Sequence, residues 1–386
     1  MAWASPVIAL ALTLIFGMLL FAVLGVDPLR AVYIIFVEPL TTGFGRAEMV
    51  VKGTPLVLIA IGLSLGFRAG VWNIGAEGQL ILGALAGTAA GLAVYPAEGL
   101  WVLPMMCLAG MAAGAAWAMI PAVLRIRFGA NEILVSLMLV YVADLWLSVL
   151  VSGPLRDPDG FNFPETRLFT SSMILPPLFD GTRAHMGALA ALAAVVIAWA
   201  VLRRHVFGFS LDLFGQAPRA AAFAGFSEAR TVALTLGIGG ALAGLAGVFE
   251  ASLSAQLKPS LPVGYGFTAI IVAFLGRLHP VGILAGGALM ALTYIGGEGA
   301  QLVLRLPAAS ISVFQGMLLF FLLGADVLTR YRLKPAGART APPDPAGVDP
   351  LSPATIGAAA GVVAAMQAGE GAAAPGGADG GGAGGV

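Results

Sequence analysis

Apolar runs follow one another along almost the whole chain, and most reach the length of about 20 residues that a helix needs to cross a bilayer. Only 10% of the residues are charged and the mean hydropathy is +0.94, whereas soluble domains carry about 25% charged residues. A single water-exposed domain of this length has no means of burying so much apolar surface. The pattern predicts an all-α integral membrane protein, a polytopic bundle of about ten transmembrane helices with short or broken members.

Two of the predicted spans are short. The second and the eighth are too short for an upright crossing, so we expect them to be tilted, or re-entrant and packed within protein. The first run lacks a basic N-terminal region and a clear cleavage site, and we interpret it as a span rather than a signal peptide. The predicted spans are 6–26, 51–67, 75–94, 99–122, 131–153, 186–206, 231–249, 264–277, 280–297 and 310–329.

Basic residues concentrate in the loops that follow the even-numbered spans. Cytoplasmic loops of membrane proteins carry an excess of Lys and Arg, so this bias predicts that both termini are cytoplasmic. The loop 154–184 mixes acids, bases and prolines, which favours the outside. We therefore expect a multi-pass protein of the bacterial cytoplasmic (inner) membrane, surrounded by membrane lipid. The basic residues of the inner loops include Arg68, Arg125, Arg127, Arg203, Arg204, Arg219, Arg230, Arg277, Arg330, Arg332 and Lys334.

Composition divides the chain near residue 335. Residues 1–334 hold all the predicted spans and form the predicted transmembrane domain. Residues 335–386 are rich in Pro, Ala and Gly, and such a segment cannot bury enough surface to offset the entropy lost on ordering. We therefore predict a disordered cytoplasmic tail. Within the transmembrane domain, glycines repeat at four-residue spacing, as at Gly110/Gly114 and Gly240/Gly244, which predicts close packing between helices.

The stretch 70–87, GVWNIGAEGQLILGALAG, places Asn73, Glu77 and Gln79 in an apolar setting. Its glycines predict an interruption between two helices, the second of which begins near Gly75. Asn73 suits an N-cap, and Glu77 suits the positive end of the helix dipole. The alternative is that a discontinuous segment exposes polar groups along a path through the membrane, as broken helices do in transporters.

Two further segments carry polar residues within apolar runs. Asn131 and Glu132 open a predicted helix, where capping explains both. Asp144 lies well inside the same span, so either a pore-facing role or pairing with another helix accounts for it. The stretch IGGEG at 295–299 echoes IGAEG at 74–78, which either chance or an internal repeat explains.

The longest polar interruption on the predicted cytoplasmic side follows the sixth span. Within it, residues 217–225 suggest a short helix, because Pro218 suits a first turn and Gly225 suits a C-terminal stop. Phe223 and Phe226 are its large apolar side chains. A short helix with an aromatic knob at the membrane surface can dock into a groove on another protein; a plain re-entry turn is the alternative.

Taken together, the motifs resemble a known family. NIGAEGQLILGA, FGANEILVSLMLVYVA, GQAPRAAAFAG, GYGFTAIIVAFLGRLHPVGIL and VFQGMLLFFLL occur in this order over roughly residues 50–332. The chain resembles the membrane permease subunits of ABC importers of the ribose, branched-chain amino acid and nucleoside group. Among these it is most similar to the larger of the two permeases in nucleoside uptake systems of the basic-membrane-protein type.

The resemblance implies a transport subunit with three kinds of partner: a cytoplasmic ATP-binding subunit, a second permease that is homologous or identical, and an extracytoplasmic solute-binding protein. It places the ATPase-coupling segment at 215–226, and it implies a translocation path for a small polar solute such as a nucleoside. The candidate path residues are Trp72, Asn73, Glu77, Gln79 and Asp144. The candidate coupling residues are Gly215, Pro218, Arg219, Ala221, Phe223 and Gly225.

Other readings remain open at this point. A sugar or branched-chain amino acid permease would share this architecture. An ion-gradient-driven transporter is a further alternative, in which Glu77 and Asp144 would form a minimal acid relay. No G-x-x-x-x-G-K-[ST] motif occurs, so we expect no ATPase site. We also expect no catalytic residues, metal or cofactor, since no nucleophile–base set or metal-ligand spacing stands out, and the zero net charge gives no sign of nucleic-acid binding.

Overall fold

A computed structural model describes residues 4–160, 163–261 and 264–330. The predicted tail, 335–386, lies outside the described residues, as do 331–334. Within the described ranges the chain is helical and forms no β-strand; one isolated antiparallel bridge joins Pro177 and His185. The helices are α1 (Ala4–Val23), α2 (Pro28–Phe36), α3 (Glu38–Thr41), α4 (Gly43–Arg68), α5 (Ala76–Ala93), α6 (Val102–Phe128), α7 (Glu132–Ser152), α8 (Gly187–Arg204), α9 (Val206–Gln216), α10 (Pro218–Phe223), α11 (Glu228–Leu253), α12 (Tyr265–Leu275), α13 (Pro280–Leu304) and α14 (Ala308–Arg330), with a 3₁₀ turn at Ser171–Met173.

Every predicted span overlaps a helix of the structure. Within the part of the chain that the structure describes, 6 helices are long and apolar enough to cross a membrane by length and composition alone: α4, α6, α7, α8, α11 and α13. The predicted all-helical membrane architecture is therefore confirmed. The short eighth span is also present as α12, whose 11 residues extend only about 16 Å.

The second predicted span, 51–67, was expected to be short, and that expectation is wrong. Helix α4 has 26 residues and begins at Gly43. Hydropathy places the start of the predicted span too late because charged residues occupy the first turns of the helix. Glu48 is 4% exposed and binds Arg183 at 3.1 Å, and Lys52 lies 3.6 Å from Glu298 of α13. Ion pairs with distant parts of the chain thus hold charged residues within a long helix.

Helices α4, α5, α6 and α11 form the centre of the bundle, and glycines bring their backbones together. A Cβ atom at Gly83 of α5 would overlap the backbone of Gly244 on α11, and a Cβ at Gly114 of α6 would overlap the carbonyl of Gly240. Small residues allow this approach, and the close packing supplies attraction that lipid cannot. The predicted role of the four-residue glycine repeats is confirmed at these positions.

We expect Gly244→Ala to destabilise the protein by about 1–3 kcal/mol, because the new methyl group meets backbone atoms that cannot move aside. The measurement is the midpoint of thermal unfolding in detergent. Gly316→Ala in α14 is the control, since a Cβ there meets open space and Ala favours a helix over Gly. Equal midpoints for the two variants would contradict the close packing of α11.

Candidate functional site

The chain breaks between α4 and α5, and residues 69–75, hereafter the break, are not helical. Gly70 adopts φ +72°, in the left-handed region that favours glycine. The N–H of Val71 donates to the carbonyl of Gly66 at 2.9 Å, which closes the end of α4. The predicted interruption is thus confirmed, and its second helix begins at Ala76, one residue beyond Gly75.

Helix α7 satisfies the N–H groups of the break. The N–H of Trp72 donates to Glu132 Oε1 at 3.3 Å, and the N–H of Ile74 donates to Ser136 Oγ at 3.2 Å. Glu132 and Ser136 are four residues apart and share one face of α7. Irregular backbone at membrane depth is tolerated only where such partners exist. The structure therefore adds Glu132 and Ser136 to the site, although the sequence showed Glu132 only as a first-turn acid.

Asn131 is the N-cap of α7, as predicted, and its Oδ1 accepts a hydrogen bond from the N–H of Ile133 at 2.9 Å. Asn73 is not the N-cap of α5, contrary to prediction; that position is Gly75. Asn73 Oδ1 instead accepts from the N–H of Gly75 at 3.0 Å, and its amide exchanges hydrogen bonds of 2.9 and 3.1 Å with the amide of Gln79. Both amides are buried and satisfy each other.

Glu77 holds the start of α12. It lies in the first turn of α5, is 3% exposed, and accepts from the N–H of Gly264 at 2.9 Å and from the N–H of Gly266 at 2.5 Å. The first N–H groups of a helix have no partner within it, and the partial positive charge there favours a carboxylate. Gly266 permits the approach, since a Cβ there would overlap the backbone of Glu77.

Trp72 is the accessible side chain of the break. It is 39% exposed, and its ring lies 5.0 Å from that of Phe67 and 5.8 Å from that of Phe274. The rings of Phe67 and Phe274 also stack, with centroids 5.2 Å apart. These three rings form an aromatic cluster that joins α4, the break and α12, with the indole at its open side.

Asp144 lies on the exposed face of α7. Its neighbours on the helix, Ala143 and Leu147, are fully buried against the bundle, whereas Tyr141 and Leu145 are exposed. Of the five candidate path residues, Asn73, Glu77 and Gln79 are therefore buried and hydrogen-bonded within the protein. Trp72 and Asp144 are the two that a solute beside this chain can reach.

The IGGEG echo does not mark equivalent structural positions. Glu77 lies in the first turn of α5, whereas Glu298 lies in the last two turns of α13 and is exposed. Their partners also differ, because Glu77 accepts from backbone N–H groups and Glu298 lies near a lysine.

The predicted short helix of the coupling segment is present as α10, with Pro218 in its first turn and Gly225 at φ +85° just beyond its end. Its side chains point largely outward. Ala221 is fully buried, whereas Phe223 is 94% exposed. Phe226, the second aromatic residue expected to be a knob, instead packs partly against a cluster of buried apolar residues that includes Leu211, Phe214 and Val232.

One contact ties the coupling segment to the end of α4, and a second ties the preceding part of α9 to the same end. Gly215 lies against the carbonyl of Arg68, with no room for a Cβ. The guanidinium of Arg68 binds Asp212 of α9 at 2.9 Å and donates to the carbonyl of Leu278 at 3.0 Å. Arg219 lies on the exposed side of α10. The six candidate coupling residues thus belong to one surface segment joined to the break through α4.

Interrupted helices that hold polar groups between the spans of a multi-pass protein are typical of membrane transport proteins. The chain is a member of the permease-component family of branched-chain amino acid transport systems, which matches residues 45–323. This assignment confirms the resemblance inferred from the motifs, and it makes the chain a multi-pass ABC transporter permease of the inner membrane, a transport subunit without an ATPase site of its own.

Several characterised relatives are permeases of the same kind. The chain is 38% identical to a glucose ABC transporter permease, TsgB13 of Haloferax volcanii, over 90% of this chain and 95% of that protein. It is 30% identical to a guanosine ABC transporter permease, NupP of Bacillus subtilis, over 71% and 79% of the two chains. It is 26% identical to a nucleoside ABC transporter permease, NupB of Lactococcus lactis subsp. cremoris, over 82% and 89%.

We expect Glu77→Gln to lower the free energy of unfolding by about 1–3 kcal/mol, because the amide can accept only one of the two N–H hydrogen bonds and leaves a buried donor unpaired. Thermal unfolding in detergent measures the change. Glu98→Gln, at an exposed glutamate, is the matched control and should match the wild type. A Glu77→Gln protein as stable as the control would show that the carboxylate does not support α12.

Proposed function

We propose that this chain and a second permease, identical or homologous, enclose a path along which a nucleoside crosses the inner membrane. A solute-binding protein delivers the nucleoside at the outer face, and a cytoplasmic ATP-binding subunit supplies the energy. The position of Asp144 is the observation that carries the proposal. Its carboxylate lies near the middle of α7, on a face that none of the described residues covers.

Contact between lipid and that face of α7 is energetically unfavourable. A charged side chain facing hydrocarbon at the centre of a span costs about 3 kcal/mol, and such residues usually face a water-filled cavity or a partner. The face also carries exposed apolar residues at helical spacing, namely Met138, Tyr141 and Leu145. An apolar stripe beside a carboxylate suits a second permease that contacts the stripe and leaves Asp144 at the path between the subunits.

The aromatic cluster supports a solute with a planar or ring-shaped face. Trp72 presents an exposed indole whose orientation is fixed by Phe67 and Phe274, and aromatic side chains stack on nucleobases with about 1–3 kcal/mol per base. The guanosine and nucleoside permeases among the relatives agree with this choice. A hexose is the second candidate, because the relative with 38% identity is a glucose permease.

For the membrane topology, we propose ten crossings, made by α1, α4, α5, α6, α7, α8, α11, α12, α13 and α14, with both termini in the cytoplasm. Arginines at the ends of α6, α8 and α12 then lie on the inside, in agreement with the positive-inside rule. In this orientation the break begins at the cytoplasmic end of α4 and α10 lies at the cytoplasmic surface. Because the chain belongs to a family of ABC transporter permeases, we favour ATP-driven transport over transport driven by an ion gradient.

Helix α10 is the proposed contact with the ATP-binding subunit. Its buried Ala221 anchors it to the bundle while Phe223 projects almost entirely into solvent. Exposed aromatic anchors of this kind fill pockets on partner proteins and contribute much of the binding energy.

Reconstitution of both permeases and the ATP-binding subunit in liposomes tests the path. Guanosine uptake should require ATP and the solute-binding protein, and glucose should neither enter nor compete. We expect Asp144→Leu to reduce uptake about tenfold or more while the complex still assembles, because a polar contact of the path is lost. Undiminished uptake by this variant would place Asp144 outside the path, and uptake of glucose alone would replace the nucleoside with the hexose.

We expect Phe223→Asp to abolish co-purification of the ATP-binding subunit, because a charge replaces the apolar anchor; anchor truncations cost about 2–4 kcal/mol of binding. Retention on an affinity resin through a tag on this chain measures the effect. Phe128→Asp, at an exposed phenylalanine that ends α6, is the matched control and should retain the subunit. Full retention by the Phe223 variant would remove α10 from the interface.

A further inference from the structure

An ion-pair cluster lies where α6 ends and α7 and α11 begin. Arg125, in the last turn of α6, binds Glu132 in the first turn of α7 through Nη1. The second terminal nitrogen of Arg125, Nη2, lies 3.6 Å from Oε1 of Glu228, which is in the first turn of α11. One guanidinium therefore joins the ends of three helices.

The two contacts of Arg125 differ in burial. The side chains of Arg125 and Glu132 are only 23% and 12% exposed, so water screens their attraction weakly. Glu228 is 67% exposed, and exposed pairs are weak. Arg125 is thus held firmly on the side of α7 and loosely on the side of α11.

The same carboxylate oxygen reaches the break. Glu132 Oε1, which binds Arg125, also accepts the N–H of Trp72 at 3.3 Å. Glu132 therefore connects the break, which carries the exposed Trp72, to α7, which carries the exposed Asp144 further along the same helix.

The other end of the cluster is continuous with the coupling segment. Only residues 224–227 separate the end of α10 from Glu228. A cavity of about 140 Å³ lies among these elements, lined by the break at Gly70, by Arg125, by the coupling segment at Gly215 and Pro218, and by Glu228. The coupling segment and the break thus line one cavity, with Arg125 in its wall, and they also share an apolar cluster that contains Ala69, Val71 and Ala221.

We propose that Arg125 and Glu132 are positioning residues that couple the ATP-binding subunit to the solute path: movement of α10 reaches Glu228, Arg125, Glu132 and then the backbone of Trp72. The pair acts on Trp72 and α7 and does not touch the solute. The inference rests on the proposed function, since it requires that α10 receives the ATP-binding subunit.

Charge reversal in the reconstituted transporter tests the coupling. We expect Arg125→Glu and Glu132→Arg each to lower solute uptake per ATP hydrolysed about tenfold, in line with the size of typical coupling between sites. Each variant should still bind the ATP-binding subunit, because α10 is unchanged. The variant with both reversals should stay as low as the single variants, because a guanidinium at position 132 cannot accept the N–H of Trp72 and a carboxylate at position 125 faces Glu228. A role confined to folding would alter the amount of assembled transporter without altering this ratio.

Arg127→Glu is the matched control, since it makes the same charge change two residues further along α6 at an exposed position; it should keep the wild-type ratio. Glu132→Gln serves if the reversed variants fail to assemble, because the amide oxygen still accepts the N–H of Trp72 while the ion pair is lost. Its ratio should fall in the same direction. Wild-type ratios in the single variants, or in Glu132→Gln, would overturn the coupling role. A wild-type transporter without ATP-dependent uptake would instead overturn the proposed function.

Discussion

Backbone N–H groups that lie inside a membrane protein without helical partners need hydrogen-bond acceptors, and this requirement organises the bundle. The break takes its acceptors from Glu132 and Ser136 of α7. The start of α12 takes its acceptor from Glu77 of α5. Each irregular segment is thus completed by a helix far away in the sequence, and α5, α7 and α12 are held together by the same hydrogen bonds that permit the interruptions.

The positions of the helices were predictable because hydropathy is a local property. The apolar runs identified every helix of the proposed crossings, and Pro218 with Gly225 delimited α10. The beginning of α4 was not predictable, because Glu48 and Lys52 become compatible with a buried helix only through Arg183 and Glu298. Those partners follow at least 130 positions later along the chain, and no local pattern indicates them.

The site was predictable in location and only partly in detail. A polar cluster beside glycines indicated the interruption. Ionisable residues in membranes generally face a cavity or a partner, and Glu77 follows this rule. The partner turned out to be the backbone of Gly264 and Gly266. Backbone donors leave no trace in side-chain composition, so sequence reasoning had no means of separating the structural carboxylate of Glu77 from the exposed one of Asp144.

Glycine-mediated helix packing and contacts between long side chains differ in how much movement they allow. At Gly83, Gly114 and Gly244 the helices meet backbone to backbone, and dense packing of this kind does not deform continuously. Helices α5, α6 and α11 therefore move as a unit if they move at all. The end of the bundle that carries α10 is different, because long side chains such as Arg68 and Arg125 make its connections and a cavity lies beside the coupling segment and the break. If α10 transmits movement as proposed, the break with its accessible Trp72 and the start of α7 adjust, while the glycine-packed centre keeps its form.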